Sequence, residues 1–272
     1  MPPSGRPPSP PVVVKLGGSL ITRKREVEKL RPKVLHRLAE EIAENRTVPI
    51  VLLHGAGSFG HPGAARFGLA QPPAEGRAVA PRARGGAIVA AEVRRLHLAV
   101  LRELVHVGLA PWSIPLADVA RNRAGALARL DSAPFSEALG RGSLPVTFGD
   151  VVPDDSWGLS ILSADAAAVE LARDLGARRV VFATDVPGVL VGPEGRRRSV
   201  APEVDAELVA GLRPAPGATD VTGGLRAKLT AMLATARAGA DAALISGLTD
   251  GALSRAIRGE AVYGSWAHAR AP

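Results

Sequence analysis

The sequence predicts an α/β fold in which a mostly parallel sheet carries helices on both faces. Short β-branched or aliphatic runs recur along the chain, each ends in a glycine-bearing turn, and stretches with helical spacing of apolar residues lie between them. At 272 residues, 46% of them hydrophobic and 22% charged, the chain has the composition of one globular domain with a substantial core.

Six of the first eleven residues are proline, so residues 1–11 are expected to be a disordered leader, and they lack a signal peptide's apolar stretch. A single domain is expected over 12–272. Its first strand is Val12–Leu16, ended by Gly17-Gly18. Val34, Leu35, Leu38 and Ile42 fall on one face of a helix over Pro32–Arg46, with Pro32 suited to its first turn. The run Val48–His54 is the second strand. Val89, Val93, Leu96, Val100 and Leu104 make one stripe on a helix over Ile88–Val107, either an apolar wall for a ligand or ordinary core. Strands follow at Ala110–Ile114 and Leu144–Phe148. A helix over Ala164–Leu175 leads to the strand Arg179–Ala183, and a helix over Leu225–Ala238 leads to the strand Ala242–Ser246. Two segments break the rhythm: Pro62–Gly86, long and rich in Gly, Pro, Ala and Arg, is read as a functional flap, and Val191–Pro202 as a projecting hairpin. No internal repeat or clean linker divides the chain.

Composition narrows the chemistry. Cysteine is absent, which excludes disulfides, thiolate metal sites and cysteine nucleophiles and is compatible with a cytoplasmic location. No apolar run is long enough for a membrane span. The net charge of +8 would suit nucleic acid, but the arginines are interleaved with acids, as in Glu92, Arg94, Arg95, Arg102 and Glu103, and aromatics are only 3% of residues. No nucleic-acid partner is therefore expected. Lysine is rare: Lys15, Lys24, Lys29, Lys33 and Lys228 stand against 29 arginines. Three of these lie near glycine-rich turns, where a compact point charge differs in use from a planar guanidinium.

In an open α/β sheet, ligands lie beyond the carboxyl ends of the strands. Four turns there are unusual. Lys15-Leu16-Gly17-Gly18-Ser19 is either a plain tight turn or an anion cradle with a lysine beside it. His54-Gly55-Ala56-Gly57-Ser58-Phe59-Gly60-His61-Pro62 is read as a loop, not as a Gly-x-Gly-x-x-Gly fingerprint opening a helix. His61 at its end suits a phosphate oxygen, and His54 at a strand end is structural. Ala183-Thr184-Asp185-Val186-Pro187-Gly188-Val189 is a turn that suits a base or ribose. Thr222-Gly223-Gly224-Leu225-Arg226-Ala227-Lys228 opens a helix with a lysine one turn in, an arrangement that suits a polyphosphate. P-loop, kinase His-Arg-Asp, Gly-x-Ser-x-Gly and His-Glu-x-x-His motifs are absent. Several anion cradles without an evident nucleophile or buried base fit phosphoryl transfer to an acceptor that is already ionised, where alignment and charge neutralisation suffice.

These turns, in order over Val12–Ser246 and joined by Ile21-Thr22-Arg23-Lys24 and Phe148-Gly149-Asp150-Val151-Val152, resemble the amino acid kinase superfamily and, within it, the isopentenyl phosphate kinases. Ser58-Phe59-Gly60-His61-Pro62 is the more specific element. The resemblance implies a three-layer αβα sandwich with the acceptor site toward the N-terminal part and ATP toward the C-terminal part. It also implies ATP with Mg²⁺, isopentenyl phosphate as acceptor, and a homodimer. It assigns Lys15, Leu16, Gly17, Gly18 and Ser19, with Gly57, to the ATP phosphates. Thr184, Asp185, Val186, Pro187, Gly188, Val189 and Leu190 go to the nucleotide, with Gly224 and Lys228 reaching its phosphates. Ala56, Gly60, His61 and Ala164 go to the acceptor. The catalytic set is Lys15, Lys24, His61 and Asp165, with Lys24 on the transferring group and Asp165 organising the lysines. Ser163-Ala164-Asp165-Ala166 departs from the family's Ser-Gly-Asp-Asp and lacks its second carboxylate. Two readings stand beside this one: a kinase of the same fold for another small phosphate or phosphonate, such as a fosfomycin-type kinase, and a nucleotide-binding protein without catalysis.

Overall fold

The computed structural model describes residues 9–23, 26–73, 79–192, 199–211 and 224–269. The first part runs β1 (Val12–Leu16), α1 (Gly18–Ile21), α2 (Pro32–Ala43), β2 (Ile50–His54), α3 (Gly57–Arg66), α4 (Val79–His106) and β3 (Pro111–Ser113). The middle runs α5 (Leu116–Val119), β4 (Ala120–Arg123), β5 (Ala126–Leu130), α6 (Ala133–Gly140), β6 (Leu144–Phe148), β7 (Asp150–Asp154), β8 (Gly158–Leu162) and α7 (Ala164–Asp174). The last part runs β9 (Arg179–Thr184), β10 (Val189–Val191), β11 (Ser199–Ala201), α8 (Ala206–Gly211), α9 (Gly224–Arg237), β12 (Asp241–Ser246), α10 (Ala252–Arg258) and β13 (Gly264–Ala267).

Seven strands form the central sheet in the order β13-β12-β9-β1-β2-β6-β3, parallel throughout except for the antiparallel edge strand β13. Side chains alternate faces along each strand. Val13, Val51, Leu53 and Phe182 join Phe135 of α6, Leu171 of α7 and Met232 of α9 in one core. Val12, Val14, Leu16, Leu52 and Val181 join Leu38 and Ile42 of α2, Leu96 and Val100 of α4, and Ile257 of α10 in the other. Two apolar layers on one sheet make the expected αβα sandwich.

The structure also corrects parts of the sequence reading. Pro62–Gly86 is not one flap: its start belongs to α3 and its end to α4, with residues 67–78 between them. Pro62 lies inside α3, and the glycines Gly55, Gly57 and Gly60 do form a Gly-x-Gly-x-x-Gly run opening a helix. Tertiary packing overrides low helix propensity here, because a Cβ on Gly60 would lie 2.7 Å from Val93 Cγ2 of α4. The hairpin of Val191–Pro202 is present as β10 and β11, with residues 193–198 at its tip outside the described residues.

A second sheet, β5-β4-β7-β8, has no counterpart in the sequence reading. Its turns are tied by Asp154, which accepts from the N–H groups of Ala124, Gly125, Ser156 and Trp157 and from Ser160 Oγ. Burial pushes this carboxyl's pKa up, but the hydrogen bonds from Gly125, Ser160, Trp157 and Ser156 outweigh burial and hold it at about 2. A folded-state pKa below the unfolded value of about 3.9 means stability that is full at neutral pH and lost as pH falls toward about 2. Asp154→Ala is expected to cost about 3 kcal/mol in urea unfolding at pH 7, and the gap to the parent should shrink near pH 3.

Candidate functional site

The carboxyl ends of the central parallel strands open into one cavity of about 690 Å³. Each strand passes its chain to the turn by a hydrogen bond to the neighbouring strand's end. Gly17 N–H donates to Ala183 O at 2.8 Å, Gly55 N–H to Leu16 O at 2.9 Å, and Gly149 N–H to His54 O at 3.0 Å. The first two turns then touch backbone to backbone. A Cβ on Gly18 would lie 2.6 Å from Gly57 Cα, and one on Gly57, held at φ 51°, would lie 2.8 Å from Gly18 O. Only glycine allows this approach. Thr22 locks it: its Oγ1 donates to Gly18 O at 2.7 Å and accepts from Ser58 N–H at 3.0 Å.

On one side of the cavity, Lys15 from β1 and Lys228 from α9 meet at Asp165 in the first turn of α7. Each Nζ lies 2.7 Å from one carboxylate oxygen. Ser163 caps that helix, accepting from Ala166 N–H at 3.1 Å, and so fixes where Asp165 points. Burial alone would raise the Asp165 pKa, but the charges of Lys15 and Lys228 hold it well below the ordinary carboxylate range. Burial, then the nearby Lys15 charge, lowers Lys228 to about 8 against the pull of Asp165. Two ammonium groups share one carboxylate, so the cluster keeps an excess positive charge and suits an anion. Ser19 Oγ donates to Asp185 Oδ1 at 2.8 Å, joining the first glycine turn to the turn after β9.

The other side of the cavity is lined by Ala56, Gly60 and His61 of the second turn and α3, by Val89 and Val93 of α4, and by Val151 and Ile161 of the second sheet. The α4 stripe therefore serves twice: Val89 and Val93 wall the cavity, while Leu96, Val100 and Leu104 belong to the core. His61 stands on a helix, not at a loop's end.

Of the residues singled out in the sequence, Lys15, Gly17, Gly18, Ser19, Ala56, Gly57, Gly60, His61, Ala164, Asp165, Thr184, Asp185, Val186, Gly224 and Lys228 all line this cavity. Leu16 is buried in β1, and Pro187, Gly188, Val189 and Leu190 do not line the cavity. Lys24 lies outside the described residues. His54 is structural, as expected: fully buried, with Nε2 3.1 Å from His97 Nδ1, its pKa lowered by burial to about 4.

The sequence reading missed Thr22 and Ser58 as locks, and Asp150 at the rim. The Asp150 side chain is buried and paired with Arg94 Nη1 at 3.2 Å, and burial raises its pKa. A carboxylate directly after a strand-ending Phe148-Gly149 was the available signal.

Fold and site together are those of a small-molecule phosphotransferase, with a cationic lysine–aspartate cluster and an apolar-walled pocket joined across glycine turns. The profile of the amino acid kinase family matches residues 10–246, and the chain belongs to that family. It is 32% identical to the isopentenyl phosphate kinase of Methanothermobacter thermautotrophicus, over 93% of this chain and 97% of that protein. It is 37% identical to the isopentenyl phosphate kinase of Haloferax volcanii, over 82% and 87%. A solved isopentenyl phosphate kinase structure superposes with a TM-score of 0.82 at 28% identity, covering 94% of this chain and 99% of that one.

Proposed function

We propose that this protein transfers the γ-phosphoryl group of ATP to isopentenyl phosphate, giving ADP and isopentenyl diphosphate. The observation that carries the reading is the single cavity with a lysine–aspartate cluster on one side and His61 with an apolar wall on the other. The relatives' names and the cavity's chemistry support a donor polyphosphate and a phosphate acceptor with an apolar tail.

In this reading an acceptor phosphate oxygen forms the new bond to the γ-phosphorus while the bond to the β,γ-bridging oxygen breaks and ADP leaves. The acceptor oxygen is already ionised, so no side chain removes a proton. Lys15 and Lys228 neutralise charge on the donor phosphates, and Asp165 holds the two ammonium groups in place between turnovers. Gly17, Gly18, Ser19, Gly57 and Gly224 let the phosphates approach the backbone, and Thr184, Asp185 and Val186 face the nucleotide. Lys24 acts on the transferring phosphoryl group. His61 donates to the acceptor phosphate, Ala56, Gly60 and Ala164 bound its path, and Val89 and Val93 cover its tail.

The cavity's described carboxylates are engaged: Asp165 with two lysines, Asp150 with Arg94, and Asp185 with Ser19. This donor set fits Mg²⁺ carried on the phosphates of ATP rather than a separate carboxylate site. With the ion carried on the nucleotide, Lys15 and Lys228 would share with it the neutralisation of the donor's charge. The family resemblance, together with the exposed Leu98 and Trp112 on α4 and edge strand β3, supports a homodimer. Use of ATP supports a cytoplasmic setting; no helix among the described residues is long and apolar enough to cross a membrane.

The Lys228 pKa of about 8 has a readable consequence. The charged form binds phosphate, so kcat/KM for ATP is expected to fall as pH rises through about 8. Bound phosphates favour the ammonium, so kcat should hold to higher pH. Identical limbs for both parameters would count against Lys228 as a phosphate ligand.

The reading is tested by coupled ADP release with Mg·ATP and, in parallel, isopentenyl phosphate, dimethylallyl phosphate and fosfomycin. Turnover of the isoprenoid monophosphates is expected. Turnover of fosfomycin alone would overturn the acceptor, and no turnover with any would overturn the activity.

A further inference from the structure

Away from the cavity, helices α2 and α4 lie together on the core that holds Leu38, Ile42, Leu96 and Val100. Along their outer seam His36 of α2 meets Glu103 and His106 of α4. Glu103 and His106 are three residues apart and so project from one side of their helix. One ligand atom from each of the three residues, a ring nitrogen or a carboxylate oxygen, can be chosen so that all lie within 4.8 Å of one another. His36 Nδ1 is 2.6 Å from Glu103 Oε1, and the two imidazole centroids are 5.8 Å apart.

An ion pair between the helices needs only His36 and Glu103. It leaves unexplained a second imidazole in the same place. A cation held by all three explains both rings. Two imidazoles and one carboxylate, with a fourth position open to water, form a set that Zn²⁺ takes readily, while hard cations such as Mg²⁺ prefer oxygen. The other ring nitrogen of His36 faces Glu40 Oε1 at 3.5 Å, and a carboxylate in that position orients a metal-bound imidazole and raises its basicity. His36 and Glu103 are part-exposed and Glu40 and His106 exposed, so an ion enters from solvent.

We propose that His36, Glu103 and His106 bind one divalent transition cation, Zn²⁺ being the best fit, as a clip between α2 and α4. The clip sits on the helix whose earlier turns supply Val89 and Val93, and it takes no part in phosphoryl transfer. It stands or falls independently of the proposed activity.

The test uses the full chain with any histidine tag removed, stripped with chelator and titrated with Zn²⁺ by calorimetry. The parent should bind an ion that His106→Ala and His36→Ala each lose or bind at least about tenfold more weakly. His268→Ala, on a remote exposed histidine, should match the parent. Excess Zn²⁺ should raise the parent's Tm by about 5 °C and that of His106→Ala much less. Co²⁺ should give the intense visible bands of a four-coordinate site in the parent and not in the variants. The proposal is overturned if His106→Ala and His36→Ala bind Zn²⁺ as tightly as the parent, or if the parent shows no saturation below millimolar Zn²⁺. Turnover of the variants without zinc should equal the parent's, which separates a lost site from a misfolded chain.

Discussion

Asp165→Asn is expected to lower kcat with isopentenyl phosphate by about a thousandfold, the scale of losing a preorganised electrostatic element. Asp165 is the carboxylate against which Lys15 and Lys228 are both held, each at 2.7 Å. An amide of the same shape offers one acceptor and turns a donor toward an ammonium. The two cations then spread apart, and Lys228, already lowered to about 8, loses its proton more readily. Breaking a buried ion pair on one side costs about 3–5 kcal/mol, so the nucleotide-free protein should also melt earlier. Saturating ATP supplies phosphate charge to the lysines and should recover most of that loss in Tm without recovering kcat. A variant that melts early but turns over normally once ATP is bound would make Asp165 a folding residue only.

His61→Ala is expected to raise KM for the acceptor by about a hundredfold while KM for ATP changes by less than about threefold, as removal of one charge-assisted hydrogen bond to phosphate predicts. His61→Gln keeps a donor on a side chain of similar reach and should recover part of the loss. The split matters because His61 stands on α3, whose glycines pack against α4. A structural role would weaken both substrates together and would not respond to glutamine.

Much of the architecture was legible because buried parallel strands read as continuous apolar runs. Val12–Leu16 and Leu144–Phe148 were found to the residue, and Arg179–Ala183 fell one short of its end. What was not legible has a physical reason in each case. Helix α3 contains three glycines and a proline, a composition that argues for a loop, and it is helical because close packing on Val93 excludes any side chain at Gly60. The second sheet rests on Asp154 gathering backbone donors from Ala124 to Trp157, a long-range contact with no periodic signal. Strand β13 is short and pairs antiparallel at an edge, where alternation is too brief to detect.

The site divides the same way. The glycine turns were visible because close backbone approach leaves glycine in the sequence. Family resemblance, not spacing, pointed to Asp165 as organiser of the lysines, because Lys15 and Lys228 lie on opposite sides of it in the chain and meet only in the fold. The double use of the α4 stripe, wall at Val89 and Val93 and core from Leu96 onward, needed the structure.

The γ-phosphoryl group of ATP is expected to end on a phosphate oxygen. Phosphorus-31 NMR of a reaction containing the protein, Mg·ATP and isopentenyl phosphate tests it most directly. The acceptor's single monophosphate resonance is expected to give way to the two coupled resonances of a diphosphate monoester as ADP accumulates one for one. An unchanged acceptor resonance with ADP and inorganic phosphate accumulating, or with ATP intact, would contradict it.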